Sequence, residues 1–136
     1  MFATKNLNFM CLVTNTPIPT ILDKDLVVYK VLYKSRNRIY SRYQDYRYDA
    51  GKIYHDEEIG LEPSYIEGQK IPDAYCVFEA YHACTTLERA NDHLGKGYHI
   101  YKCVIPKGSK VFFDRSCDDI ASDTIIIKRR LLFNRF

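Results

Sequence analysis

The fold turns on AYHACTTLERANDHLGKGYHIYKC, residues 80–103, which gathers three of the chain's four histidines and two of its five cysteines. Thr85 stands three residues before Glu88. At that spacing an N-cap hydroxyl and an N3 carboxylate satisfy each other's orphan backbone donors. Leu87, Ala90 and Leu94 follow at i, i+3 and i+7 as one apolar stripe, and Gly95 and Gly97 supply a stop. The pattern predicts a helix over about 85–95. Strands flank it, YCVFEAYHAC (75–84) before and GYHIYKCVIP (97–106) after.

Working outward, LVVYKVLYK (26–34) alternates with a period of two. Val27, Tyr29, Val31 and Tyr33 fall on one face, and Val28, Lys30, Leu32 and Lys34 on the other. SRNR turns the chain so that RIYSRY can pair back. Beyond residue 103, PKGS is a turn, KVFFD a strand, DRSCDDIASD a polar loop and TIIIKRRLLF a closing strand. Residues 43–72 carry three glycines and two prolines and read as a long irregular insert. Residues 1–25, with Pro17 and Pro19, read as an extended arm. The expected organisation is that arm followed by a single α+β domain, residues 26–136. It would hold a mostly antiparallel sheet with one main helix packed on it.

A chain of 136 residues is long enough to bury a core without staples. Its apolar runs are too short to span a bilayer, so no membrane partner is expected, and its start makes a poor signal peptide. An odd cysteine count without close pairs points to free thiols in a reducing compartment. The net charge of +3 excludes an acidic mimic of nucleic acid, which would need a dense carboxylate surface.

The His and Cys density of residues 80–103 does not amount to a metal motif. Zinc ligands come as close, convergent pairs. His99 and Cys103 share a strand face, but about 13 Å separates them. Neither a metal nor a cofactor is expected. Cys84 with His82 as base is conceivable for nucleophilic catalysis, since residues two apart on a strand share a face. Cys84 and Cys103 also suit the part of small buried residues, and His93 that of a solvated group at a helix C-terminus.

The stretch 29–54 holds seven of the twelve tyrosines, interleaved with arginines and lysines. Inward ring packing explains such a pattern. So does a protein interface, because Tyr and Arg are favoured anchors. Single-stranded nucleic acid is a third use of stacking rings among cations, although +3 is thin charge for it. Tyr40, Arg42, Tyr43, Tyr46, Arg47 and Tyr48 form the candidate contact surface.

Particular motifs resemble a widespread set of small uncharacterised phage and prophage proteins. They are Tyr29-Lys30-Val31, Tyr48-Asp49-Ala50-Gly51, Tyr81-His82-Ala83-Cys84-Thr85-Thr86-Leu87-Glu88-Arg89-Ala90, Lys102-Cys103-Val104-Ile105-Pro106-Lys107-Gly108 and Ala121-Ser122-Asp123 with Ile125-Ile126-Ile127. Tyr81 replaces a usual glycine of that pattern, and Cys84 a usual aromatic. The resemblance implies a viral protein in the bacterial host cytosol, acting as an inhibitor of a host defence system of the anti-CRISPR kind. Its partner would be a bacterial host protein or nucleoprotein complex. The strand order also resembles, faintly, the split-sheet fold of ADP-ribosyltransferases, which implies an NAD cleft near Tyr29, His82 and Ser122. Those enzymes use a glutamate on a late strand. This chain has none after Glu88, leaving Asp114, Asp118, Asp119 and Asp123 as substitutes.

Overall fold

The computed structural model describes residues 12–42 and 46–132. Among the described residues the elements follow in order: β1 (Leu12–Thr14), β2 (Thr20–Ile21), β3 (Leu26–Ser35), β4 (Arg38–Ser41), β5 (Arg47–Tyr48), β6 (Ile53–His55), β7 (Gly60–Ile66), β8 (Gln69–Glu79), β9 (Tyr81–Cys84), α1 (Leu87–Asp92), β10 (Tyr98–Ile105), β11 (Lys110–Phe113), β12 (Asp119–Ser122) and β13 (Thr124–Arg130). Strand makes up 58% of the structure and helix 5%, so the expected α+β class gives way to a nearly all-β one.

The helix is shorter than its sequence signals because β12 claims the start of the segment. Thr85 donates from both its backbone N and its Oγ1 to the Asp118 carbonyl. The N-cap therefore moves to Thr86, whose hydroxyl accepts from Arg89 N at 3.1 Å. The insert is not irregular either. It supplies β5, β6, β7 and the first part of β8, with β7 and β8 joined across Glu67-Gly68, both at positive φ. Such a two-residue turn matches the twist of a hairpin. Within residues 1–25, the described part supplies β1, paired with β8, and β2, paired with β11.

The larger sheet runs β2-β11-β12-β9-β3-β10-β13-β6, with β4 on β3 and β5 on β4. Asp123 alone links β12 to β13, yet four strand pairings separate them in that order. The sheet must curl until its two arms meet at that residue. Asp123 N donates to Lys110 O, Lys110 N donates to Asp123 Oδ1, and Asp56 N donates to Asp123 O. Side chains from both arms then share one interior, with Val111 and Ile120 from one and Ile125, Ile127 and Tyr54 from the other.

The outer face of this curl is covered piecemeal. The small sheet β1-β8-β7 closes over β11 and β12 through Leu12, Val77, Phe112 and Ala121. Helix α1 closes over β9, β3 and β10, with Leu87, Ala90 and Leu94 meeting Tyr29, Val31, Cys84 and Ile100. Among the described residues, neither cluster reaches the corner where β5, β4, β3 and the start of β10 lie side by side.

Candidate functional site

On that open corner the register sets four residues in one row. Arg47 pairs with Tyr40, Tyr40 with Tyr33, and Tyr33 with Tyr98. Directly paired residues of antiparallel strands point to the same side. The Tyr33 and Tyr40 rings stack with centroids 5.3 Å apart, and Tyr98 meets Tyr33 edge-on at 5.7 Å. The Arg42 guanidinium lies 4.8 Å from the Tyr98 centroid and donates through Nη1 to the His93 carbonyl. Arg36 and Asn37, both at positive φ, turn the β3–β4 hairpin beside the row and leave Lys34, Arg36 and Arg38 exposed.

The expected contact surface therefore divides. Tyr40, Arg42 and Arg47 belong to the outer row or its end, with Arg47 also 3.5 Å from Asp49 in an exposed ion pair. Tyr48 turns inward, is 4% exposed and meets Tyr54 edge-on at 5.1 Å. Tyr46 is 43% exposed, yet its ring leans on that same inner cluster, 4.9 Å from Tyr48. Tyr43 lies outside the described residues. Tyr33 and Tyr98 were missed as partners of Tyr40. The alternation of LVVYKVLYK put Tyr33 on a face but could not show what lay beside it.

The three proposed cleft residues do not converge. Tyr29 is paired with Cys84, and Ala121 with His82, which sets Tyr29 and His82 on the outer face. Ser122, paired with Tyr81, points into the interior. It is fully buried, and its hydroxyl donates to Thr124 O at 2.8 Å and accepts from Thr124 N at 3.1 Å. The four late aspartates are engaged locally. Asp114 accepts from Val13 N and Ser116 N, Asp118 from Thr86 Oγ1, Asp119 from Arg89, and Asp123 from Thr124 Oγ1.

A second cluster lies beneath α1. Asp119 sits directly opposite Cys84 across β12 and β9. Arg89 and His93, four residues apart, occupy one side of the helix. Arg89 grips Asp119 with two parallel bonds, Nε–Oδ1 at 3.0 Å and Nη2–Oδ2 at 3.1 Å. Cys84 Sγ, a His93 ring nitrogen and an Asp119 oxygen fall within 4.8 Å of one another. The Cys117 thiol adds a contact to Asp119 Oδ2 at 3.4 Å. Burial, and then the Asp119 carboxylate, push the Cys84 thiol up to about 12. His93 is held below its ordinary value by burial and the nearby Arg89 charge. A neutral thiol beside a neutral imidazole is the wrong charge state for a resting nucleophile. The imidazole brought to Cys84 is that of His93, and the Arg89/His93 spacing was the signal in the sequence that could have shown it.

His82 has a different part. Its Nε2 is buried without a hydrogen-bond partner among the described residues. Burial, then the Lys30 charge, lower its pKa to about 4. Lys30 keeps some accessible surface, but protein crowds its ammonium, which donates to the His82 carbonyl and lies 5.5 Å from the Tyr48 ring centroid. That burial lowers the Lys30 pKa. Cys84, Cys103 and Cys117 are free thiols as expected, whereas Cys76 is disulfide-bonded. Pairing of β1 with β8 lays the N-terminal segment along Cys76, opposite Val13. The bond removes the cysteine argument for a reducing compartment. No helix among the described residues is long and apolar enough to cross a membrane. Comparison with protein-family models, curated proteins and solved structures finds no match.

Proposed function

We propose that this chain works by binding another protein, and that the row Arg47–Tyr40–Tyr33–Tyr98, with Arg42 at its end, is the recognition surface. The observation that carries the reading is the in-register row of three tyrosines and an arginine on an outer corner that, among the described residues, neither the α1 cluster nor the small-sheet cluster includes. Rings locked by their neighbours offer contact area at little entropic cost, the property that makes Tyr and Arg interface anchors.

Ring geometry favours protein over nucleic acid. Base stacking needs a free aromatic face. Here one face each of Tyr33 and Tyr40 is taken up by their mutual stacking, and Arg42 lies over Tyr98. The resemblance to phage and prophage proteins supports a bacterial defence complex as the target and inhibition as the outcome.

Affinity capture from a bacterial host lysate tests the reading. Arg47→Glu is expected to abolish capture of the specific partner, while Lys24→Glu, an exposed charge away from the row, leaves it intact. Capture unchanged by Arg47→Glu contradicts the assignment. Capture that fades steeply with salt and goes to single-stranded nucleic acid would replace it with the nucleic-acid reading.

A further inference from the structure

The Cys84–His93–Asp119 cluster draws one ligand-type atom from each of three elements, the end of β9, the C-cap of α1 and the start of β12. We propose that these three side chains form a binding site for a divalent cation of the zinc class, which ties α1 to the sheet. The inference stands apart from the reading of the tyrosine row.

The donor set chooses the metal. Sulfur and imidazole nitrogen beside one carboxylate oxygen suit zinc, whereas magnesium and calcium take oxygen shells. At metal–ligand bonds of 2.0–2.3 Å, tetrahedral ligands stand about 3.3–3.8 Å apart. The three atoms already lie within 4.8 Å of one another, so side-chain rotation covers the difference.

The scaffold holds each ligand from behind. Cys84 and Asp119 are direct cross-strand partners. Arg89 orients the Asp119 carboxylate through both oxygens, and Arg42 holds the His93 main chain through its carbonyl. Such outer contacts commonly fix the geometry of metal ligands. A thiolate and a carboxylate offset the dication's charge, and the Arg89 charge that stays on the cluster lies near the Cys117 thiol, which contacts the Asp119 carboxylate.

Cobalt(II) titration, air-free and without reductant so that the Cys76 disulfide stays closed, tests the site. The wild-type chain is expected to bind one ion and to show a thiolate-to-cobalt charge-transfer band that zinc displaces. Cys84→Ser and His93→Ala should weaken binding more than about 100-fold, and Arg89→Met roughly 10–100-fold. Cys103→Ser, on the opposite face of the sheet, should leave the band unchanged. A readout free of variants guards against misfolding: zinc should shift the ring resonances of His93 in the unmutated protein and spare those of His55. The proposal is overturned by absence of stoichiometric binding, by a band that survives Cys84→Ser, or by unmoved His93 resonances.

Discussion

The tyrosine row and the Cys84 cluster occupy the same outer face of the same sheet, joined through Arg42, yet they are held in opposite ways. The row is kept in place by ring-on-ring contact at the surface, and several of its members remain half-open to water. The cluster is kept in place by charged hydrogen bonds under a helix, with Cys84 buried. Side chains of the second kind stabilise the fold whether or not they have a further use. Side chains of the first kind add less to stability, which is why the row, and not the cluster, is proposed as the recognition surface.

Perturbing the sheet beneath α1 should therefore cost more than perturbing the row, and the largest effect is expected at His82. Its folded pKa of about 4 lies below the ordinary 6.5, so between those values the unfolded chain takes up a proton that the fold refuses. Stability should fall as pH drops from about 6.5 to about 4, by on the order of 3 kcal/mol from this residue, and level off below. Urea unfolding of wild type and His82→Leu across that range isolates the contribution as the difference between them. A difference that does not change with pH would break the assignment.

Asp119→Asn comes next. It removes the charge from the Arg89 fork, whose side chains are 30% and 25% exposed. Charged hydrogen bonds of this kind contribute ~1–2 kcal/mol once solvent screening is discounted. Hydrogen exchange should locate the loss in residues 87–92, with the β3–β4 hairpin spared. Equal loosening of both would mean that the two regions are one cooperative unit.

Strands with one buried face were legible in the sequence. LVVYKVLYK became β3 with the expected alternation, RIYSRY did pair back through β4, and GYHIYKCVIP became β10. Strands without that contrast were not. In β7 and the start of β8, Tyr65, Ile66, Gln69 and Lys70 are all exposed, and Pro63 stands near a shift in register. No period of two could survive there. DDIASD read as a polar loop because β12 is short and carries its polar ends at Asp119 and Ser122, one engaged by Arg89 and the other by Thr124. YCVFEAYHAC looked like one strand but divides at Ala80 into β8 and β9 on different sheets. The convergence of Cys84, His93 and Asp119 depends on that division and on β12. Local spacing could not show it, nor could it reveal that Tyr98 lines up with Tyr33 and Tyr40.

Tyr40→Ser, with unfolding and partner capture measured on the same preparation, separates recognition by the row from ordinary packing. Stacking of this kind is worth ~0.5–1.5 kcal/mol beyond area. A stability loss of that size is expected together with at least about tenfold weaker capture, a binding cost of ~1.4 kcal/mol or more. A variant that loses that stability and still captures its partner at wild-type strength would contradict the account and return the row to ordinary packing.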